Sequence, residues 1–301
     1  LLPPLVAMVI SFFTSMGGIS GAFLLLPFQM SVLGYTAPSV SGTNHVFNVI
    51  AIPSGVYRYI KEGRMACPLT WIVVLGTLPG VFLGYYVRVL WLPDQKVFKL
   101  FVGCVLLYIG IRLVKELIRK KAKSALDEKF RLRSEEIKKL QSSRLVSGLP
   151  AEAVVRTISM SVRKIEYEFW GERFSFNPTG MFILSFAVGI IGGAYGIGGG
   201  SIIAPFCVAV FHLPVYTIAG AALMGTFITS VAGALFFSLI PAVNGISAMP
   251  DWPLGILFGI GGFAGMYLGA RAQKFIPQKF IKWILGIVII SLAVRYIVKY
   301  L

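Results

Sequence analysis

Long apolar runs with almost no charged residues constrain the fold of this chain more than any other feature. Hydrophobic residues make up 56% of the sequence and charged residues 13%, and residues 115–178 hold 15 of the 28 Lys and Arg and 9 of the 12 Asp and Glu. A helix needs about 20 apolar residues to cross a bilayer. Weaker runs of this kind lie at 2–33 and 42–60, and clear ones lie near 68–90, 97–114, 180–211, 217–240, 252–270 and 280–298. The sequence therefore predicts an all-α polytopic membrane protein.

The net charge of +16 does not indicate nucleic acid binding, because the basic residues flank apolar spans.

The chain repeats itself. With residues 16–57 placed over 194–235, several Gly and Pro positions coincide: Gly18 with Gly196, Gly21 with Gly199, Pro27 with Pro205, Gly42 with Gly220 and Gly55 with Gly233. After a short shift, Gly76, Gly80 and Gly84 match Gly261, Gly265 and Gly269. We therefore predict a first membrane repeat at 1–114, a polar cytoplasmic insert at 115–178 and a second membrane repeat at 179–301.

Each half opens with a glycine-rich segment, GGISGAFLLLPF at 17–28 and YGIGGGSIIAPF at 195–206. Glycine clusters interrupt a helix, and interrupted helices in duplicated halves are typical of secondary transporters. The helix that follows each break begins with the positive end of its dipole, which binds anions. Two such ends facing each other predict a central anion site. The alternative interpretation is that these glycines only permit close helix packing.

Two topologies fit these four-segment halves. Full spans at the openings give four crossings per half and parallel halves, whereas re-entrant hairpins give three crossings and an inverted repeat. With the insert in the cytoplasm, the inverted case puts loops 58–66 and 270–282 inside, with seven Lys and Arg against five outside. Since cytoplasmic loops are the more basic ones, the inverted repeat is favoured.

Small residues at every fourth position let helix backbones approach closely in lipid. The glycines at 76, 80, 84, 261, 265 and 269 are therefore predicted to pack helices and not to bind substrate. Arg58, Arg88, Arg112 and Arg295 lie near span ends. We interpret them as anchors that reach to the interface.

Polar residues in spans are functional candidates because they are costly in hydrocarbon. The segment 41–55 holds most of them, and Asn44 and Asn48 share a helix face. Amide and hydroxyl donors suit oxyanions, although Ser and Thr also bond back to their own helix. The predicted substrate-binding residues are Gly18, Ser20, Gly21, Thr43, Asn44, His45, Asn48, Gly198, Gly199, Gly200, Ser201, Thr226, Thr229 and Ser230.

His45 titrates near neutral pH in its unperturbed state, so it is predicted either to bind the anion or to carry a coupling proton. A buried neutral histidine bonded to a neighbour is the alternative, and His212 is a weaker candidate. No Asp or Glu lies within a span, since Glu62, Asp94 and Asp251 fall at loops. The three cysteines show no metal-like spacing. We predict no cofactor, no metal site and no enzyme activity.

The insert has two parts. Residues 120–145 are polar and rich in helix formers, which predicts a surface helix. Residues 165–169 alternate apolar and polar side chains, which predicts a strand. A small subdomain made of a helix and a β hairpin fits this pattern. The insert is expected to tether the halves, and regulation or partner binding remains an alternative.

At these residues the chain resembles the TauE/SafE family of sulfite exporters, which are membrane permeases. The likeness rests on the glycine-rich openings that end in Pro (17–27 and 195–205), on SGTN at 41–44 and on the duplicated halves. The first opening departs from the second at Ser20 and Ala22, which replace glycines. The resemblance implies a small organosulfur anion as substrate, such as sulfite, sulfoacetate or a related sulfonate. The residues alone indicate only a small anion.

These expectations describe a secondary transporter of the bacterial inner membrane, multi-pass, that exports the anion by alternating access. Its partners would be the anion, the lipid bilayer and a coupling proton, and its glycine-rich faces permit a homodimer. An anion channel, a carrier for a small carboxylate and a membrane sensor are the alternatives.

Overall fold

The computed structural model describes residues 2–16, 20–35, 37–61, 65–118, 154–211, 213, 215–240, 247–272 and 278–298. Before the insert these residues form helices α1 (Leu2–Met16), α2 (Ala22–Ser31), α3 (Ser39–Ala51), α4 (Pro53–Lys61), α5 (Cys67–Tyr86) and α6 (Gln95–Ile118). After it they form α7 (Pro178–Tyr195), α8 (Gly200–Val210), α9 (Val215–Leu239), α10 (Trp252–Ala272) and α11 (Gln278–Val298). The break between α3 and α4 falls before Pro53, whose ring lacks the N–H that a continuous helix would use.

Four helices among the described residues are long and apolar enough to cross a membrane. They are Cys67–Trp91, which joins α5 to a π-helical turn, Pro178–Tyr195, Thr217–Leu239 and Trp252–Gly269. Large apolar side chains on their outer faces are exposed, as lipid contact requires: Trp71 is 60% and Ile260 58% exposed. The chain is a helical membrane protein, as predicted.

The glycine triplets hold two helix pairs together. In α5, an added Cβ at Gly76, Gly80 or Gly84 would come within 2.8 Å of a backbone atom or side chain of α7. In α10, one at Gly261, Gly265 or Gly269 would collide with the backbone of α1 at Pro4, Met8 and Phe12. The predicted packing role of these glycines is confirmed. Each triplet joins a helix of one half to a helix of the other.

The helix contacts also define directions. Residue numbers rise together along α5 and α7 and along α1 and α10, so each of these pairs is parallel. They run in opposite senses along α3 and α9, where Asn48 contacts Ser230 and His45 contacts Gly233. Likewise, Gly103 and Gly110 of α6 lie against α11 at Ala293 and Ile290 respectively. Helices α3 and α9 are therefore antiparallel, and so are α6 and α11.

A three-stranded antiparallel sheet precedes the second half. It contains β1 (Val155–Met160), β2 (Ile165–Phe169) and β3 (Glu172–Phe176), in that order. The alternating pattern at 165–169 forms strand β2, as expected, and its apolar side chains are buried. The turn after it uses a left-handed Trp170 (φ 55°) followed by Gly171 (φ 81°). The predicted surface helix at 120–145 lies outside the described residues.

Tyr167 attaches this sheet to the membrane bundle. Its side chain is fully buried, and its hydroxyl lies 2.9 Å from Thr217 Oγ1 in the first turns of α9. Burial raises the pKa of Tyr167, so the hydroxyl stays neutral. The first turn of α9 is thus covered by the sheet.

We expect Tyr167→Phe to lower the stability of the protein by about 1 kcal/mol, the usual contribution of one buried hydrogen bond. The measurement is the midpoint of thermal unfolding in detergent. Tyr267→Phe is the control, because Tyr267 is 51% exposed. Equal midpoints for the two variants would show that the contact with Thr217 does not hold the sheet.

The interpretation of Arg88 as an interfacial anchor is wrong. Its side chain is fully buried in the π-helical turn Val87–Trp91. The guanidinium carbon lies 3.6 Å from the centroid of the Phe98 ring, and a terminal nitrogen donates to the Leu92 carbonyl. An aromatic face and a helix-end carbonyl stabilise the buried cation.

Three more arginines were predicted to be interfacial anchors. Arg295 is exposed and Arg58 is half-buried, while the side chain of Arg112 lies outside the described residues.

Candidate functional site

Both predicted helix breaks are present. In the first half, α1 ends at Met16 and α2 begins at Ala22. In the second half, α7 ends at Tyr195 and the chain passes through Gly196 (φ 85°) and Gly198 (φ 72°) before α8 begins. L side chains rarely adopt such backbone angles. At Gly196 there is also no space, because an added Cβ would lie 2.4 Å from the Ser41 carbonyl oxygen.

The two breaks meet at the side chain of Asn48. Ser20 Oγ donates to Asn48 Oδ1 at 2.6 Å, which links α3 to the first break. Asn48 Nδ2 donates to the Ile197 carbonyl of the second break at 3.1 Å and to Ser230 Oγ of α9 at 3.1 Å. The side chains of Ser20, Asn48 and Ser230 are fully buried. One amide therefore connects four segments in the interior of the bundle.

The orientation of this amide follows from its neighbours. The Ile197 carbonyl can only accept, so the nitrogen of Asn48 must face it and the oxygen must face Ser20. Ser20 therefore donates its hydroxyl proton to Asn48, and its oxygen accepts from the Ala22 N–H at 3.3 Å. A directed chain of hydrogen bonds runs from the first turn of α2 through Ser20 and Asn48 to the second break.

A second polar contact, which sequence reasoning missed, extends along α2. Gln29 Nε2 donates to Asn44 Oδ1 at 2.8 Å, and Asn44 Nδ2 donates to the Ala22 carbonyl at 3.3 Å. Gln29 is fully buried. A signal was present, since Gln29 is the one amide side chain in the apolar helix AFLLLPFQMS.

His45 faces α9 and not the breaks. Its fully buried ring fills the space that Gly233 leaves and lies 5.6 Å from the centroid of the Phe237 ring. The Gly193 carbonyl is close to the ring. Neither ring nitrogen, however, makes a hydrogen bond of normal geometry to a described residue.

The hydroxyls of three predicted threonines bond to their own helices. Thr43 donates to the Ser39 carbonyl at 2.9 Å, Thr226 to Ala222 at 2.8 Å and Thr229 to Gly225 at 2.6 Å. Thr43 also accepts from the Asp251 N–H at 2.9 Å, which places it beside the start of α10 and away from the breaks. Gly18, His212 and the side chain of Ser201 lie outside the described residues.

The tip of α8 is packed tightly by two helices. An added Cβ at Gly199 would lie 2.4 Å from a methyl carbon of Thr77 in α5, and one at Gly200 would lie 1.9 Å from the Ala222 carbonyl oxygen in α9. Thr226 also lies against Gly198 and Gly200. The glycines at 198–200 therefore allow backbone contact at the tip. Thr77 is a second contributor that the sequence did not reveal.

Two of the carboxylates that the sequence places at loops lie at helix starts. Asp94 Oδ1 accepts from the backbone N–H groups of Lys96 and Val97 at 2.8 and 3.0 Å, and Asp251 Oδ1 accepts from Leu254 N–H at 3.0 Å. The bond from Val97 is the main cause that lowers the pKa of Asp94. Glu62 lies outside the described residues. Within the described residues, no three His, Cys, Asp or Glu side chains are grouped to hold a metal ion.

Two interrupted helices that meet inside a helical membrane protein are typical of membrane transporters. The family model described as "Sulfite exporter TauE/SafE" matches residues 4–296, so the chain belongs to the TauE/SafE family, as the resemblance predicted. It is similar to the probable membrane transporter protein YunE of Bacillus subtilis (strain 168), with 23% identity over 292 residues, 94% of this chain and 92% of YunE. It is also similar to the probable membrane transporter protein YdhB of the same organism, with 31% identity over 104 residues, 34% of this chain and 39% of YdhB. No solved structure matches the chain.

Proposed function

We propose that the protein is a secondary carrier that moves a small organosulfur anion, such as sulfite, sulfoacetate or a related sulfonate, across the cytoplasmic membrane by alternating access. The observation that carries this proposal is the hydrogen-bond chain through Asn48, which joins the two helix breaks. The sulfur chemistry of the substrate is suggested by the family name. The anionic character is supported by the donors at the breaks.

The donors suit an oxyanion. Ser20, Asn48 and Ser230 offer hydroxyl and amide N–H groups, and the first turns of α2 and α8 add the positive ends of their helix dipoles. An anion that enters between the breaks would accept the hydrogen bond that Ser20 now donates to Asn48. It would also accept the hydrogen bond that Asn48 now donates to Ile197. Binding would thus exchange one contact within the first half, Ser20 with Asn48, and one between the halves, Asn48 with Ile197, for contacts with substrate. Such an exchange links binding to movement of the halves.

We also propose that the halves form an inverted repeat with re-entrant openings. Three observations support this topology. Helices α3 and α9 occupy corresponding positions in the duplication and run antiparallel, as do α6 and α11. Helix α8 turns back along α7, since Cys207 Sγ lies 3.6 Å from Met181 Sδ at the start of α7. Alternating access commonly uses rocking of such halves around a central site.

The proposed direction is export. An inside-negative membrane potential favours outward movement of an anion by about 2.3 kcal/mol per charge per 100 mV. In this proposal His45 carries a coupling proton, and the protonated ring donates a hydrogen bond to the nearby Gly193 carbonyl in the interior of the bundle. The protein would work as a multi-pass protein of the inner membrane and would have no catalytic role.

Counterflow in proteoliposomes tests the proposal. Vesicles preloaded with unlabelled sulfite or ethanesulfonate should take up labelled anion faster than empty vesicles, and the rate should saturate with concentration. A channel would give neither saturation at low concentration nor acceleration by substrate on the far side. Saturable counterflow with a small carboxylate but with no sulfonate or sulfite would contradict the substrate and leave the carrier mechanism intact.

A further inference from the structure

Gln29 contains a hydrogen-bond acceptor with no partner among the described residues, on α2, the helix that follows the first break. The side chain is fully buried on α2, and its nitrogen donates to Asn44 Oδ1. Its oxygen, Oε1, has no hydrogen-bond partner among the described residues. The other buried residues of α2 are apolar, from Ala22 to Met30.

The chemical identity of this free atom follows from the hydrogen bonds around it. The Ala22 carbonyl can only accept, so the Asn44 amide must present its nitrogen to Ala22 and its oxygen to Gln29. Gln29 must then present its nitrogen to Asn44. The group that Gln29 leaves unpaired is therefore its carbonyl oxygen and not its amide nitrogen.

A buried carbonyl without a donor destabilises a folded protein, and native structures contain few such groups. A donor at this position would remove that cost. Since no group of the described residues donates to this oxygen, we infer that the donor comes from a bound molecule. A water molecule is one source and a substrate is the other.

The position of Gln29 favours the substrate. Gln29 contacts Asn44, Asn44 contacts Ala22, and Ala22 N–H contacts Ser20 at the proposed anion site. Asn44 and Asn48 are one helical turn apart, a rise of about 6 Å along α3. Gln29 is thus linked to the proposed anion site through Asn44 and Ala22, and our inference is that a substituent of the bound anion extends along this path to the Gln29 oxygen.

We propose that Gln29 is a specificity-determining residue that selects anions which carry a hydrogen-bond donor, a hydroxyl or an ammonium group, a short distance from the anionic group. This inference rests on the proposed function, because it assumes that the anion binds at the breaks. It narrows the substrate class from any small organosulfur anion to hydroxy- or amino-substituted ones. Sites built to bond a substrate hydroxyl discriminate strongly against analogues that lack it.

Competition between matched sulfonates tests this inference. The probes are 2-hydroxyethanesulfonate and ethanesulfonate, which differ by one hydroxyl and carry the same charge. For the wild-type protein in proteoliposomes, we expect the uptake efficiency, measured as kcat/KM, to favour the hydroxyl compound by about tenfold or more. In Gln29→Met, which has a similar length and no acceptor oxygen, this ratio should fall to about one.

Two further variants sharpen the result. Gln29→Glu keeps an acceptor and adds negative charge, so it should shift the preference from 2-hydroxyethanesulfonate toward 2-aminoethanesulfonate, which carries an ammonium group. Ser185→Ala is the control, because the Ser185 hydroxyl bonds only within its own helix, to Met181. It should leave the ratio at the wild-type value.

The possible outcomes separate the two proposals. A wild-type ratio near one overturns the role of Gln29 and leaves the carrier in place, and the acceptor is then bonded to water only. A tenfold ratio that persists in a folded Gln29→Met protein assigns the selection to another residue. This result also overturns the proposed role of Gln29. If the wild-type protein takes up no sulfonate of either kind, the proposed function itself is wrong for sulfonates.

Discussion

Asn48→Leu is expected to abolish transport. The substitution removes the acceptor of the Ser20 hydroxyl and the donor to both the Ile197 carbonyl and Ser230. Each buried polar group that loses its partner costs about 1–3 kcal/mol. The link between the breaks is lost together with two donors for the anion, so counterflow should fall at least about a hundredfold, the factor that about 3 kcal/mol represents.

Loss of transport has to be separated from loss of the fold. Asn48→Asp has nearly the same shape and still accepts from Ser20, but it cannot donate to Ile197 and it places a negative charge where the anion binds. It should therefore abolish counterflow even where Asn48→Leu fails to fold. Ser291→Ala removes an exposed hydroxyl that bonds only to the Ile287 carbonyl of its own helix, and it should transport normally. If either Asn48 variant is monodisperse in detergent and transports at the wild-type rate, the substrate does not bind at the breaks.

Gly200→Ala is expected to separate the tip of α8 from α9. The added methyl carbon would lie 1.9 Å from the Ala222 carbonyl oxygen and 2.5 Å from Thr226 Oγ1. The nearest atom belongs to the backbone of a long packed helix, so it cannot move cheaply. Overpacking of this kind costs about 1–3 kcal/mol or more. We expect a lower midpoint of thermal unfolding in detergent and loss of counterflow, because the second break no longer reaches Asn48.

Gly55→Ala is the matched control for this substitution. Gly55 is also helical and buried, but an added Cβ there would meet only the Leu223 Cδ1 atom, at 3.4 Å. Since alanine is also the better helix former by up to about 1 kcal/mol, Gly55→Ala should unfold at or above the wild-type temperature. Equal effects of the two substitutions would contradict the close packing at the α8 tip.

The membrane-embedded helices and both breaks were predictable because their signals are local. Apolar runs report the cost of exposing polar backbone to lipid, and a cluster such as Gly198–Gly200 disfavours a helix through the conformational freedom of its own backbone. The packing role of Gly76, Gly80 and Gly84 was also predictable, since a spacing of four residues places them on one helix face.

The interpretation of Arg88 as an interfacial anchor failed because the burial of this side chain depends on a contact that is not local in the sequence. Its place near the end of a span resembles that of an anchoring arginine, and nothing close to it in the sequence signals burial. The side chain is buried because the π-helical turn at Val87–Trp91 brings it against Phe98, which belongs to the next helix. Local position set the expectation, and a tertiary contact decided the outcome.

The polar candidates divide in the same way. Asn48 was predictable as a functional candidate because an amide in an apolar span is rare and costly. Its partners were not, since Ser20 lies 28 and Ile197 149 residues away in the chain. Gln29 was overlooked because its role depends on the hydrogen bond that it donates to Asn44 on another helix. Thr43 fits the polar pattern of α3, yet it bonds to the backbone before α10.

By itself, the sequence determined a helical membrane protein, the two helix breaks and the family. These features depend on hydropathy, glycine spacing and residue order, which are properties of short segments. Only the tertiary structure decided which polar atoms bond to each other and which keep a free acceptor, as Gln29 does. Hydrogen bonds act over about 3 Å, so their partners are known only once helices far apart in the chain have been brought together.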